Sequence, residues 1–243
     1  MRTSNPALSD KAFQGIAASG DLAMTVNGTV NKTAIALILL LLSSGWTWGR
    51  VFAGTAPAGL MMLGFIGGFI TALVTIFKRD WAPVTTPIYA LFEGLALGGI
   101  SALFEMRFPG IVIQAVSLTF ATLFALLLAY RSNLIRATEN FKLGLFAATG
   151  GICLVYLANF IMGFFGASIP FIHESGFLGI GFSFFVVVIA ALNLVLDFDF
   201  IERGAERGLP KYMEWYGAFG LLVTLIWLYL EILRLLSKLQ QRR

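Results

Sequence analysis

The sequence predicts an all-α membrane protein, built as a bundle of seven transmembrane helices. The first observation is composition: 58% of the 243 residues are hydrophobic and only 12% are charged, about half the charged share of a typical soluble domain. The second is a series of uncharged runs close to the ~20 residues that a spanning helix needs. Transmembrane strands are ~10 residues long and alternate in polarity, so these long and uniformly apolar runs indicate helices.

The uncharged runs place seven spans in chain order, at about 33–53, 57–77, 83–104, 109–130, 143–165, 176–200 and 213–236. The third span joins two shorter runs across Glu93. Short loops make consecutive helices antiparallel neighbours, and the abundance of Gly and Ala suggests close helix packing. Residues 33–243 are therefore predicted to form one transmembrane domain.

Residues 1–32 differ in composition from the rest of the chain. They are polar and mixed in charge, and contain several Gly and Ser residues. They lack the apolar core of a signal peptide. We expect a polar N-terminal tail ahead of the first span, with a segment that docks on the bundle as the alternative.

The basic residues of the loops predict the orientation in the membrane. Eleven lie on the side of the N-terminus, whereas the loops of the other side carry only Arg50 and Arg107. The positive-inside rule therefore places the N-terminus in the cytoplasm. Four bases at the end of the chain disagree with seven full crossings, namely Arg234, Lys238, Arg242 and Arg243. The alternative is a last segment that does not fully cross, and seven full spans are favoured.

Several classes of function find no support in the sequence. A single cysteine, Cys153, excludes an internal disulfide and a cysteine-based zinc site. A single histidine, His173, is expected in a solvated loop and leaves no spare base for a serine-histidine triad. HExxH, Walker A and GxSxG motifs are absent. We expect neither an enzyme nor a cofactor, and bases between apolar spans are typical of contacts with anionic lipid rather than with nucleic acid.

Among the carboxylates of the predicted spans, four are the candidate functional residues: Glu93, Asp197, Asp199 and Glu231. A charged group in a span costs about 2.5–3.5 kcal/mol on insertion scales, so its presence is informative. Glu93 lies about ten residues from either end of its span, which is ~15 Å of helix on both sides. It is either a protonated carboxyl bonded to a neighbouring helix or a group that lines a polar cavity, and the cavity is favoured.

Asp197 and Asp199 lie near the cytoplasmic end of the sixth span. Two residues correspond to about 200° of helix rotation, so the two side chains occupy different faces. Asn193 shares the face of Asp197 and predicts that Asp197 points into the bundle. Asp199 is either a support for that site or an interfacial charge beside Arg203.

Glu231 lies in the seventh span with Arg234 three residues further on. One interpretation is a Glu–Arg pair on a single helix face, which neutralises itself. The other is an acidic pair with the carboxylates of the sixth span. Counted along straight helices from a turn near residues 204–211, Asp197 and Glu231 differ in depth by ~20 Å.

Three segments together resemble the Bax inhibitor-1 family, and the opening RTSNPALSDKAF resembles one of its bacterial branches. They are YALFEGLALGGIS in the third span, DFDFIERG at the end of the sixth and LYLEILRLL in the seventh. Family members carry an Asp four residues before an Ile, here Asp197 and Ile201, and an acidic residue after Leu-Tyr-Leu, here Glu231, where Asp is frequent. The resemblance implies a bundle with a central last helix in the bacterial inner membrane. It also implies a pH-sensitive calcium leak, with calcium near Asp197 and Glu231.

Two hypotheses of different classes follow. In the first, the protein is a leak channel for calcium, with Glu93 in the ion pathway, Asp197 and Glu231 as the pH sensor and Asp199 in support. Protonation of a sensor carboxylate removes the charge that holds a closed packing or attracts a cation. In the second, the protein is a non-transporting regulator that binds a membrane protease or another membrane protein. A proton-coupled transporter is disfavoured because the halves show no repeat symmetry.

Overall fold

The computed structural model describes residues 23–55, 58–166 and 176–242, and within them it contains the seven predicted helices. They are α1 (Val26–Phe52), α2 (Ala58–Phe77), α3 (Ala82–Arg107), α4 (Ile111–Arg131), α5 (Glu139–Phe164), α6 (Phe177–Glu206) and α7 (Met213–Gln241). A short 3-10 helix, Arg79–Trp81, precedes α3. Each of the seven is long and apolar enough to cross a membrane, which confirms the predicted fold class.

Several helices extend beyond the predicted spans, and α1 begins seven residues earlier than predicted, at Val26 rather than at residue 33. Helix α1 begins at Val26 because the Thr25 side chain caps it, accepting a hydrogen bond from the Gly28 amide at 3.0 Å. Residues 26–32 are therefore helical, although their polarity had placed them in the tail. Tail residues 1–22 and His173 lie outside the described residues.

The described part of the chain divides into two compact units. The amino-terminal unit comprises the described residues up to Pro109 together with Asp199–Val223, and so contains α1, α2, α3, the end of α6 and the start of α7. The carboxyl-terminal unit comprises the described residues of Gly110–Phe198 and Thr224–Arg243. It contains α4, α5, most of α6 and the remainder of α7.

Glycines on α2 and α3 bring the helices of the amino-terminal unit close together. A Cβ added at Gly98 would collide with the Ser44 backbone of α1, and one at Gly94 would collide with the Leu40 carbonyl. On the other side of α3, a Cβ at Gly64 of α2 would lie 2.6 Å from the Phe92 carbonyl oxygen. Close backbone approach through small residues is the usual packing of membrane helices. The prediction of close helix packing from the Gly content is thus confirmed here.

Burial differs strongly among the seven helices. Large apolar side chains such as Phe69 of α2, Leu128 of α4 and Leu154 of α5 are exposed, as expected of faces that meet lipid. Helix α7 has the largest buried share of the seven, with 61% of its most apolar stretch buried. In the carboxyl-terminal unit, Val186, Val195 and other apolar residues form a buried core.

Candidate functional site

Glu231 lies in a buried cluster with Tyr156 and Arg234 in the carboxyl-terminal unit. The side chain of Glu231 is 2% exposed. Its two oxygens each accept a hydrogen bond from the Tyr156 hydroxyl at 3.1 Å and from Arg234 Nη1 at 2.9 and 3.0 Å. The predicted Glu–Arg pair on one helix face is therefore present, and Tyr156 of α5 adds a partner that the sequence did not indicate.

Arg234 also makes direct contact with Tyr156. It donates a hydrogen bond to the Tyr156 hydroxyl at 2.6 Å, and its guanidinium lies 5.1 Å from the centroid of the ring. The Arg234 side chain is 39% exposed, unlike its carboxylate partner. The cluster thus holds its carboxylate against a cation on the same helix, and a second cation could reach Glu231 only by competing with Arg234.

Asp197 is fully buried in α6, in the same unit. Asn193, one turn earlier, is also buried and donates hydrogen bonds to Thr149 Oγ1 at 3.0 Å and to the Ile189 carbonyl at 2.8 Å. Thr149 belongs to α5. The inward orientation predicted for Asp197 from its spacing to Asn193 therefore agrees with the burial of both residues.

The contact between Lys238 and Ser183 sets the relative depth of Asp197 and Glu231. Lys238 Nζ lies 2.8 Å from Ser183 Oγ and 3.0 Å from the Gly179 carbonyl oxygen. Because α6 and α7 are antiparallel, Glu231 lies opposite about residue 190 of α6. By this contact Asp197 is seven residues further along, an offset of about 10 Å. The contacts of α5 give about 16 Å, since Tyr156 meets Glu231, Thr149 meets Asn193, and Asp197 is four residues beyond Asn193. Both values lie below the expected ~20 Å, in agreement with α6 continuing to Glu206 and a shorter turn.

Asp199 forms an ion pair in the amino-terminal unit. Arg203 Nε, one turn further along α6, donates to Asp199 Oδ1 at 2.9 Å. This is the interfacial pair that the sequence offered as one interpretation of Asp199. Although Asp199 and Asp197 occupy different faces, Asp199 is buried as well. Its charge is therefore balanced locally on its own helix.

Glu93 lies at the contact between α2 and α3. It forms a hydrogen bond with the Tyr89 hydroxyl, one turn earlier on α3. Its carboxyl group fills the space beside Gly68 of α2, where an added Cβ would lie 2.7 Å from Glu93 Oε1. Glu93 is therefore a hydrogen-bonded carboxyl against a neighbouring helix, at the middle of a span.

Glu214 forms an ionic cluster that sequence reasoning missed. Its fully buried carboxylate accepts hydrogen bonds from the Thr25 amide at 2.9 Å and the Thr25 hydroxyl at 3.0 Å. Lys211 Nζ lies 2.9 Å from the same carboxylate, and Lys32 is ion-paired with it. Two signals were available: the i, i+3 spacing to Lys211, and an acidic residue in the first turn of α7, where the helix dipole favours it. Gly28 leaves room for this carboxylate, so the cluster joins the start of α1 to the start of α7.

The Bax inhibitor 1 like family matches residues 5–241, nearly the whole chain. The chain belongs to this family. The match includes all seven helices and the residues of the clusters above. Neither the curated proteins nor the solved structures compared with the chain match it.

Lys238 of this Bax inhibitor 1 like protein bears on the number of crossings. Its ammonium group is buried in contact with α6, and Arg234 is paired with Glu231. Two of the four bases at the end of the chain therefore contact other side chains of the protein. Such residues are poor indicators of orientation, so they are weak evidence against seven full crossings.

Metal ligands are sparse in the described part of this family member. Among its described residues, no group of three or more His, Cys, Asp or Glu side chains is placed to hold a metal ion. Asp197 and Glu231 are separated by about 10–16 Å of helix rise. Asp197 and Glu231 are therefore two separate acidic positions within the described residues.

Proposed function

We propose that the protein is a pH-sensitive leak channel for calcium or a similar cation, gated by protonation of carboxylates in α6 and α7. The observation that supports this most directly is the burial of Asp197 and Glu231 within the spans of one unit. Intramembrane ionisable residues usually mark ion or proton pathways. Membership in a family of membrane channels and regulators agrees with the proposal and disfavours an enzyme.

The mechanism that we propose centres on the exchange of Arg234 for another cation. With Glu231 ionised, Arg234 and Tyr156 hold the carboxylate in a closed cluster. Protonation of Glu231 removes the charge that retains Arg234, whose side chain is partly exposed and can move away. Calcium prefers oxygen ligands such as ionised carboxylates, so it takes the place of Arg234 beside Glu231 once the carboxyl group has lost its proton again. Calcium acts here as the permeant ion.

Asp197 is proposed as the second sensor residue. At 10 Å or more along the helices, as about 10 Å from the Lys238 contact and about 16 Å from the α5 contacts show, Asp197 and Glu231 are too far apart to share one proton directly. Glu93 is proposed as a carboxylate of the ion pathway in the amino-terminal unit, and Asp199 with Arg203 as a support.

The surroundings proposed for the channel are those of a bacterial inner membrane. The protein is integral to the membrane because its seven helices are long and apolar enough to cross a bilayer. The basic loops support a cytoplasmic N-terminus. Its partners on this proposal are the lipid bilayer and calcium or protons.

Calcium flux into proteoliposomes of the purified protein, measured across the physiological pH range, tests the proposal. We expect flux above that of empty liposomes, with a clear dependence on pH. Glu206→Gln is a suitable control variant because Glu206 is an exposed carboxylate at the end of α6 and should not affect the flux. Absence of flux at every pH would contradict the proposal.

A membrane regulator is the second candidate, and the attachment of the N-terminal segment favours it. Ala23 pairs with Pro210 of the α6–α7 loop, and the Met24 amide donates to the Leu209 carbonyl at 2.6 Å. A tail attached at a fixed position suits the capture of a membrane protease or another membrane protein. Deletion of residues 1–22 leaves this attachment intact. A regulator would then lose partner binding, whereas a leak channel would keep its flux.

A further inference from the structure

Four buried aromatic side chains form a continuous cluster in the amino-terminal unit. The aromatic cluster consists of Tyr89 of α3, Phe200 of α6, and Tyr216 and Phe219 of α7, each 4% exposed or less. Tyr89 meets Phe219 edge to face, with ring centroids 5.0 Å apart. Tyr216 lies 6.3 Å from both Phe219 and Phe200. Aromatic side chains from three helices therefore meet in this cluster.

The aromatic cluster lies between Glu93 and the Arg79 end of this unit. Helices α3 and α7 run in the same direction here, because Thr86 donates to the Trp215 carbonyl at 3.2 Å and Tyr89 packs on Phe219 four residues further along α7. Glu93 is one turn beyond Tyr89. At the opposite end, the Arg79 guanidinium lies 5.8 Å from the Tyr216 ring.

Tyr89 connects the aromatic cluster to Glu93. Its ring packs on Phe219, and its hydroxyl is hydrogen-bonded to the Glu93 carboxyl. A hydroxyl group buried in a membrane span needs a polar partner. This hydrogen bond therefore fixes the orientation of the Tyr89 ring. A cation that binds Glu93 competes with the hydroxyl for the same oxygens.

We propose that the aromatic cluster is a closed barrier between Glu93 and the Arg79 end of the amino-terminal unit, and that Tyr89 is the positioning residue that keeps it closed. The inference rests on the proposed function, in which Glu93 belongs to the ion pathway. Tightly packed apolar layers stop ions because they exclude the water that ions need. When the Glu93 oxygens leave the Tyr89 hydroxyl, the hydrogen bond that orients the Tyr89 ring is lost, and the contact of this ring with Phe219 loosens.

Reactivity of a cysteine placed beside Glu93 tests the barrier without any measurement of flux. Leu97→Cys, in a Cys153→Ser background, introduces the thiol one turn beyond Glu93 on α3, where a smaller side chain replaces a buried leucine and leaves the Glu93 carboxyl in place. A charged, membrane-impermeant methanethiosulfonate is added to proteoliposomes. We expect slow labelling of the parent variant. Phe219→Ala should label about tenfold faster, because opening of the aromatic cluster determines how often the reagent reaches the thiol.

Two further variants complete the experiment. Tyr89→Phe keeps the ring but removes the hydroxyl, and should also raise the labelling rate. Phe69→Ala truncates an exposed aromatic residue of α2 and should leave the rate unchanged. Equal rates in the Leu97→Cys parent, Phe219→Ala and Tyr89→Phe would overturn the barrier. Because Tyr89→Phe is conservative, it remains informative where Phe219→Ala does not fold.

Labelling and flux separate the two proposals. Faster labelling in the variants of a protein that conducts no calcium would support the barrier and contradict the leak. Calcium flux in the wild-type protein together with unchanged labelling would support the leak and overturn the barrier.

Discussion

Arg234 donates to Glu231 at 2.9 Å from a position three residues further along α7. The carboxylate of the seventh span therefore carries its own cation on the same helix. The Tyr156 hydroxyl, on α5, donates hydrogen bonds to both carboxylate oxygens of Glu231. Because a lone charge in a span is costly, this arrangement explains how Glu231 is kept inside the membrane. It also makes Arg234 the group that any permeant cation has to replace.

Removal of Arg234 is predicted to destabilise the protein through the charge left on Glu231. Arg234→Gln should cost about 2 kcal/mol, below the range for a fully buried pair because Arg234 is partly exposed. The midpoint of thermal unfolding in detergent measures the loss. Glu231→Gln in the same chain should recover much of it, since both charges are then absent. Additive effects of the two substitutions would show that the pair is not coupled.

Loss of the Tyr156 hydroxyl is predicted to have a smaller effect. Tyr156→Phe removes the hydrogen bonds to Glu231 but keeps the ring beneath the Arg234 guanidinium. The expected cost is about 1 kcal/mol, the usual value for one buried hydrogen bond. Tyr130→Phe, in the neighbouring helix α4, provides a comparison of the same chemical change. An unfolding midpoint of Tyr156→Phe equal to that of the wild type would contradict the geometry of this cluster.

Glu214 is predicted to hold the start of α1 in place. Glu214→Gln removes the charge that Lys32 and Lys211 share, and should cost about 3 kcal/mol because the carboxylate is fully buried. We expect faster proteolysis around residues 23–32 as well as a lower unfolding midpoint. Glu206→Gln, at an exposed carboxylate in the last turn of α6, should change neither quantity by much. Unchanged proteolysis in Glu214→Gln would mean that the cluster does not secure α1.

Glycine at position 98 is predicted to be required for the approach of α1 to α3. Gly98→Ala places a methyl group against the Ser44 backbone and should cost about 1–3 kcal/mol. Gly144→Ala in α5 meets no neighbouring atom within 4 Å, and should stabilise the helix by up to ~1 kcal/mol. The difference between the two unfolding midpoints measures the packing alone. Similar midpoints would contradict the close contact.

The limits of the sequence prediction follow from the range of each interaction. Seven helices and the Glu231–Arg234 pair were predictable, because hydropathy and i, i+3 spacing are local properties. Tyr156 could not be assigned to Glu231, since it is 75 residues away in sequence. The start of α1 was missed because hydropathy alone overlooks a polar first turn, although Thr25 is a favourable cap. The Glu214 cluster likewise depends on contact between distant segments.

The pH response of calcium flux in Asp197→Asn and Glu231→Gln tests whether these two carboxylates are the sensor. Both variants are measured in proteoliposomes beside the wild type and the Glu206→Gln control. We predict flux that varies with pH in the wild type and the control, and flux without that variation in both sensor variants. A pH dependence that persists unchanged in Asp197→Asn and Glu231→Gln would contradict the assignment of these two carboxylates as the sensor.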